Sequence, residues 1–286
     1  MHSPSVNLQK LRLSDLLRKG GAYAAIFLFS AFAIFPFLWM LVSSLKPLSE
    51  IFVGESFFPT NPSLANYTSL FTNYRTLPSL WNSFYIATLS TVLSVFLCAL
   101  GGYGFAKFHF PGRNVLFYTM LGTMTIPFVV LLVPLFIMMR SVFNWIDTPW
   151  PLIIPGAASA FGVFFMRQYM LSLSDEMLDA ARIDGASEFG IFLRIVLPVS
   201  LPGLTSLAII FFMGSWNNFL WPLAVLRSPD TYTLPLLLNS IQGPTGRFPF
   251  GVLMAGSVIS VAPLIVIFLF LQRYLIEGLT AGSVKG

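Results

Sequence analysis

The chain has 286 residues, 56% of them hydrophobic and only 9% charged, with a mean hydropathy of +0.79 and a formal net charge of +5. A soluble domain carries about 25% charged residues, so this composition excludes a soluble enzyme or binding domain and specifies an integral membrane protein. The single cysteine, Cys98, excludes an internal disulfide and sits in an apolar run, where its expected role is small packing filler.

Residues 1–20 are polar and basic, with Lys10, Arg12, Arg18 and Lys19. Leu8, Leu11, Leu13, Leu16 and Leu17 fit a short helix lying on the membrane surface; a solvated tail fits as well. The run that follows, Ala22–Leu45, is too long for a signal-peptide core and reads as an uncleaved anchor. About 20 apolar residues cross the hydrocarbon core, and six segments meet that length. They are Ala22–Leu45, Phe84–Phe105, Val115–Met139, Trp150–Met170, Gly203–Leu226 and Phe250–Leu271. The expected fold class is therefore an all-α integral membrane protein with six transmembrane helices.

Orientation follows from the Lys/Arg bias of the connecting segments. With the N-terminus inside, the inner segments hold eleven of the 16 basic residues and the outer ones hold Lys46, Arg75, Arg140, Arg227 and Arg247. Both termini are thereby expected in the cytoplasm. Two outer segments are substantial, Lys46–Ser83 around Phe58-Pro59-Thr60-Asn61-Pro62, and Arg227–Pro249 around Gly243-Pro244-Thr245-Gly246. Both read as loops with short structured pieces.

The predicted spans carry no Asp, Glu, Lys, Arg or His away from their ends. Ionisable groups inside the membrane mark proton relays and ion coupling, so this pattern argues against a proton-driven pump. Small residues cluster at Cys98–Gly104 and Gly156–Gly162, which fits internal packing or an interface with a second membrane subunit. Prolines 36, 127, 134, 155, 222 and 263 lie within or near spans and can kink them. The fifth span contains Ser215-Trp216-Asn217-Asn218-Phe219-Leu220-Trp221, whose amides and indoles suit a neutral polyhydroxyl solute. An interfacial Trp belt with Asn bonding between helices is the plainer reading. Asn82, beside the second span, joins Trp216, Asn217 and Asn218 as a candidate path residue.

The exception to this apolar body is Asp175–Pro202, which holds five of the eleven acids: Asp175, Glu176, Asp179, Asp184 and Glu188. Ser174 is a good N-cap, and acids in the first turn complement the helix dipole. The helix is expected to run to about Ile183, where a left-handed Gly185 stops it. Ser187 can cap a second short helix, on which Phe189, Phe192, Leu193 and Val196 share a face. Pro198 and Pro202 are expected to end the unit. Such an apolar face can lie in a partner's groove or on the membrane.

The run Asp179-Ala180-Ala181-Arg182-Ile183-Asp184-Gly185-Ala186, continued by Ile195-Val196-Leu197-Pro198, resembles the EAA motif of ABC-importer permeases. Asp179 stands where the family has Glu, keeping the charge with a reach one methylene shorter. The stretch Ser215–Leu223 resembles the fifth-span signature of carbohydrate importers and the ending Gln272–Gly286 resembles the C-terminus of the maltose-type second permease subunit, so the likeness covers the whole chain. The resemblance implies a cytoplasmic coupling loop over residues 172–202, within a permease domain of residues 22–271, flanked by cytoplasmic tails at 1–21 and 272–286. Asp179, Ala180, Ala181, Asp184, Gly185, Ala186, Leu197 and Pro198 are implied to couple to the ATPase.

The implied partners are a homologous second permease, two cytoplasmic ATP-binding subunits and an extracellular or periplasmic sugar-binding protein touched by Arg227–Pro249. ATP and Mg would sit on the ATPase subunits, with no cofactor or metal on this chain and no nucleic-acid partner. The sequence has no Gly-x-x-x-x-Gly-Lys-Ser/Thr phosphate loop, no Gly-x-Ser-x-Gly nucleophile motif, and only His2 and His109 as histidines. Competing readings are a permease for glycerol phosphate or another small polar solute, a stand-alone carrier, a membrane-embedded enzyme and a membrane scaffold.

Overall fold

The chain's structure, a computed structural model, covers the backbone of residues 13–53, 56–241 and 249–280, and their side chains apart from those of 13–18, 48, 52–53 and 273–280. Leu8, Leu11, the Gly243–Gly246 turn and the end of the C-terminal tail lie outside these residues. Among the described residues all regular structure is helical.

Three predicted spans are continuous helices: α1 (Leu13–Ser44), α4 (Thr76–Lys107) and α15 (Phe250–Thr280). Helix α4 overruns both of its predicted ends, α1 its predicted start and α15 its predicted end. The 32 residues of α4 rise about 48 Å, longer than the hydrocarbon core, and its first turns occupy ground expected to be loop. Helix α1 starts within the segment expected to be a tail, so the backbone at Leu13, Leu16 and Leu17 continues the first helix ahead of its apolar span rather than forming a separate helix. Between α1 and α4 lie the short α2 (Leu48–Val53) and α3 (Ala65–Asn73).

The other three predicted spans are broken. In the third, α5 (Arg113–Thr123) and α6 (Phe128–Ser141) meet at 97°. Pro127 caps α6 with an extended ψ of 134°; it has no N–H to continue the ladder and biases the residue before it away from helix. In the fourth, α7 (Trp150–Ile153) and α8 (Ala160–Met170) are separated by non-helical residues around Pro155 and Gly156. The 11 residues of α8 rise only about 16 Å, so it does not cross alone. In the fifth, α12 (Leu201–Trp216) and α13 (Leu220–Val225) part at Asn217 and Asn218.

Packing divides the chain into two units. In residues 1–67 with 249–258, Asn66 donates its amide to the Ser44 and Lys46 carbonyls at 2.9 and 2.8 Å. Lys46 donates to the Ser56 carbonyl at 2.8 Å while its ammonium lies over the Trp39 ring. In residues 68–248 with 259–286, α4 and α8 pack closest. A Cβ on Gly102 would lie 2.6 Å from Met166 Cβ, and one on Gly162 would lie 2.6 Å from Cys98 Sγ. Those small residues serve internal packing, whereas Gly104 and Gly156 have no neighbour within 4 Å at their Cβ positions. Cys98 is buried there as filler.

The same core receives the polar stretch. It forms α9 (Asp175–Ile183), α10 (Glu188–Ile191), a π-helical turn over Phe192–Val196 and α11 (Leu197–Val199). The chain then turns through about 80° at Ser200 into α12. Pro198 lies inside α11 and Pro202 in the first turn of α12, a position proline tolerates. The bend falls between the two prolines rather than at either. Another cluster joins Met139, Trp221, Val225, Leu226 and Leu236. There α14 (Leu234–Ser240) packs beside α13.

Candidate functional site

The knob formed by α9 and α10 is built as its sequence predicts at the turn. Gly185 is left-handed, with φ +80°. Its N–H bonds the Arg182 carbonyl and the Ala186 N–H bonds the Ala181 carbonyl, both at 3.0 Å. That pair of bonds is the Schellman closure, which satisfies carbonyls a helix end leaves open. Ser187 caps α10 by accepting the Gly190 N–H at 3.2 Å. Ser174 sits at the start of α9 without a side-chain cap bond, because its hydroxyl pairs with the Glu176 carboxylate at 3.1 Å.

A charged chain crosses the knob. Arg182 Nη1 donates to Asp179 Oδ1 at 2.6 Å, its Nε to Glu188 Oε1 at 2.7 Å and its Nη2 to Glu188 Oε2 at 3.3 Å. Glu188 Oε2 also accepts the Tyr103 hydroxyl of α4 at 3.1 Å. Asp179 therefore reaches an arginine of its own helix. The hydrogen bond from Arg182 holds the Glu188 carboxyl below its ordinary range against the opposing effect of burial. The bonds to Glu188 and Asp179 push the Arg182 guanidinium above its already high value. Bidentate charge-assisted bonding of this kind fixes geometry as well as adding energy.

Helix α4 grips the knob at a second point. Lys107, its side chain only 5% exposed, donates to the Leu173 carbonyl at 2.6 Å and to Asp175 Oδ1 at 2.7 Å. The hydrogen bond and charge of Lys107 hold the Asp175 carboxyl below its ordinary value. Neither Lys107 nor Tyr103 was singled out by sequence reasoning. They lie 68 and 85 positions from their partners, and no local pattern announces such a pair.

Half of the apolar face read as meeting a partner or the membrane is used at home. Phe192 and Val196 are 1% and 0% exposed and pack with Leu178, Ile191, Met166 and Met170. Phe189 and Leu193 stay exposed. Periodicity located the face but not the body it meets. What the knob presents outward is the motif itself: Asp179, Ala180, Asp184, Gly185 and Ala186 are exposed, Ala181 and Leu197 half-buried, and Pro198 exposed. Ile183 stands at the tip, 87% exposed. The motif surface at the tip of a knob seated on its own core has the shape to enter a protein groove.

The candidate path residues separate. Trp216 is buried, stacked on Phe212, and donates its indole N–H to the Ser260 carbonyl at 3.0 Å. Asn82 donates to the Asp230 and Tyr232 carbonyls at 2.8 and 3.1 Å, pinning the loop that follows α13. Both spend their N–H donors on backbone carbonyls of this chain, and the buried Trp216 is not part of an interfacial belt. Asn217 is exposed and Asn218 half-buried at the α12/α13 break, with no side-chain hydrogen bond within the described residues. Asn218 lines an otherwise apolar cavity with Phe128, Leu131, Pro134, Leu152 and Trp221.

The loop after α13 is fixed from three sides. Asp147, at φ 63°, accepts the Arg227 and Ser228 N–H groups at 2.9 and 3.0 Å and the Thr231 hydroxyl at 2.5 Å. Burial raises its pKa, but the Ser228, Thr231 and Arg227 bonds together hold it below the ordinary value. Arg75 pairs with Asp230, and Ser83 accepts the Leu234 N–H at 2.7 Å. Among the described residues no three His, Cys, Asp or Glu side chains gather as a metal site.

The family described as binding-protein-dependent transport system inner membrane component matches residues 98–280. The chain is 42% identical over 279 residues to the arabinooligosaccharides transport system permease protein AraQ of Halalkalibacterium halodurans, covering 96% of this chain and 97% of that one. It is 34% identical over 274 residues to the lactose transport system permease protein LacG of Rhizobium radiobacter, covering 96% and 97%. A chain in the crystal structure of a bacterial ABC transporter that imports the acidic polysaccharide alginate superposes with a TM-score of 0.82 at 22% identity, over 92% of this chain and 98% of that one. At that identity the likeness speaks for the fold.

Proposed function

The chain belongs to the family of binding-protein-dependent transport system inner membrane components, and on that premise we propose that it is the transmembrane permease subunit of an ATP-driven sugar importer. A homologous second permease completes the translocation path. Two ATP-binding subunits, which carry ATP and Mg, take the knob; this chain has no ATPase site of its own. Residues 22–271 form the permease domain, with the coupling loop at 172–202, and the tails at 1–21 and 272–286 lie in the cytoplasm.

The observation that carries this reading is the knob. Its apolar side is spent on the chain's own core, which fixes its direction, while the motif residues and Ile183 are left outward. A segment held so firmly, with an uncovered tip, is organised to transmit force to a partner. On the opposite side of the membrane, the loop pinned by Asp147, Asn82 and Arg75 is the surface that meets the solute-binding protein. ATP binding closes the ATPase pair, moves the knob and turns the path outward; hydrolysis resets it.

Arabinooligosaccharides and lactose, named for three of the relatives, support a saccharide as the solute, and the cation-free interiors of the predicted spans favour a neutral one. The test is reconstitution in proteoliposomes with the second permease, ATPase and binding protein. ATP-dependent saccharide uptake that stops when any one component is omitted is expected. Uptake by this chain alone would make it a stand-alone carrier instead.

A further inference from the structure

Glu188 occupies a position that the coupling motif alone does not explain. It lies one turn beyond the exposed tip and accepts hydrogen bonds from two different elements. Arg182 reaches it from α9 and Tyr103 reaches it from α4, at 2.7, 3.3 and 3.1 Å. Arg182 is in turn bonded to Asp179 at 2.6 Å. The result is one hydrogen-bonded chain from an exposed motif carboxylate to a tyrosine buried inside a 32-residue helix.

Tyr103 is also locked by its ring. It lies 5.6 Å from the Phe192 ring and 5.3 Å, edge-on, from Phe108. Displacing Glu188 therefore pulls on a group that cannot turn aside. The other grip of α4, Lys107 on Asp175 and the Leu173 carbonyl, holds the start of α9. Between them, the two grips hold both knob helices to α4. Helix α4 runs on to the opposite end of the unit, where Asn82 and Ser83 hold the loop after α13.

We propose that Glu188 is a positioning residue for energy coupling, the joint through which movement of the knob passes into α4 and so toward the outer loop. This rests on the knob being the ATPase-docking element, as proposed above. Arg182 sets the angle between α9 and α10 through its fork on Glu188, and the Tyr103 hydroxyl carries that setting into the span. Without the joint the knob still docks, because its apolar seat and motif surface are unchanged, but its displacement is absorbed locally.

The test uses the complete importer in proteoliposomes, with solute taken up per ATP hydrolysed as the readout. The variants are Tyr103→Phe, which deletes a single oxygen, Glu188→Gln, which keeps shape but removes the charge, and the double variant. Normal assembly with ATPase is expected in each. Uptake per ATP should fall about fivefold or more in each single variant, the lower end of a site-to-site coupling energy. The double variant should be no worse than the more impaired single one, because both break the same link. Wild-type uptake per ATP in Tyr103→Phe and Glu188→Gln overturns the proposal. So does impaired assembly with unchanged uptake per ATP in the assembled fraction, which makes the link purely structural. A wild-type complex with no ATP-driven uptake removes the functional reading itself, a result distinct from either.

Discussion

Replacing Gly185 tests whether the knob acts through its backbone shape. The residue is held at φ +80°, and a Cβ added there meets nothing within 4 Å. The cost of a substitution is therefore conformational, not steric, within this chain. A left-handed L-residue costs about 1–2 kcal/mol, and 1.4 kcal/mol is tenfold in an equilibrium constant. Gly185→Ala should thus weaken association of the ATPase with the permease by up to about thirtyfold, the full cost being felt when the free knob relaxes out of the turn and must regain it on docking. Gly185→Asn should do less harm, because Asn tolerates this region, and Gly185→Val more, because a β-branched residue there is a genuine outlier. Affinity of purified ATPase for the solubilised permease pair, with saccharide-stimulated ATP hydrolysis alongside, reads the order. The expected ranking is Gly, Asn, Ala, Val. If Ala outperforms the larger Asn, side-chain bulk in the partner's cleft governs, and the conformational argument is wrong.

Three further outcomes follow from the packing. Gly102→Ala drives a Cβ to 2.6 Å from Met166 Cβ and 2.9 Å from the Arg167 backbone nitrogen, so overpacking of about 1–3 kcal/mol should lower the thermal midpoint of the purified permease. Gly104→Ala, with open space around it, should leave that midpoint unchanged or slightly raised. Asp147 has a lowered pKa, so its contribution is fully present above the ordinary carboxylate value near 4 and is lost as pH falls through its lower folded value. Protection factors at the Arg227 and Ser228 amides, taken relative to the intrinsic exchange rate at each pH, should accordingly fall in acid and, in Asp147→Ala, be low already at neutral pH. Asn217→Leu and Asn218→Leu should each reduce saccharide uptake severalfold while leaving ATPase association intact, which uptake and co-purification assays separate; unchanged uptake in both removes them from the path.

Hydropathy made the membrane body legible, because burial in lipid demands long apolar runs whatever they pack against. It could not show where the helices break. Proline 127 interrupts its span while prolines 36 and 263 lie inside unbroken helices. The difference lies in what surrounds each proline, which a single sequence does not state. The knob was legible where chemistry is local, as at Gly185 and Ser187. It was misread where the question was which body a face meets, since Phe192 and Val196 look alike whether they bury in a partner or at home. Asn82 and Trp216 show the same limit: a polar group on a span can serve a solute or a neighbouring carbonyl, and the carbonyls they bond are 44 residues away or more. The Lys107 and Tyr103 grips were silent for that reason.

The most direct test of the account is where the tip of the knob lands. A photo-crosslinking residue at Ile183, the exposed tip, should give an adduct with the ATP-binding subunit in the assembled importer. The same group at Val115, exposed on α5, should not. Adducts from position 183 to lipid alone, or none to the ATPase while uptake remains ATP-driven, would contradict the claim that this knob is where the energy enters.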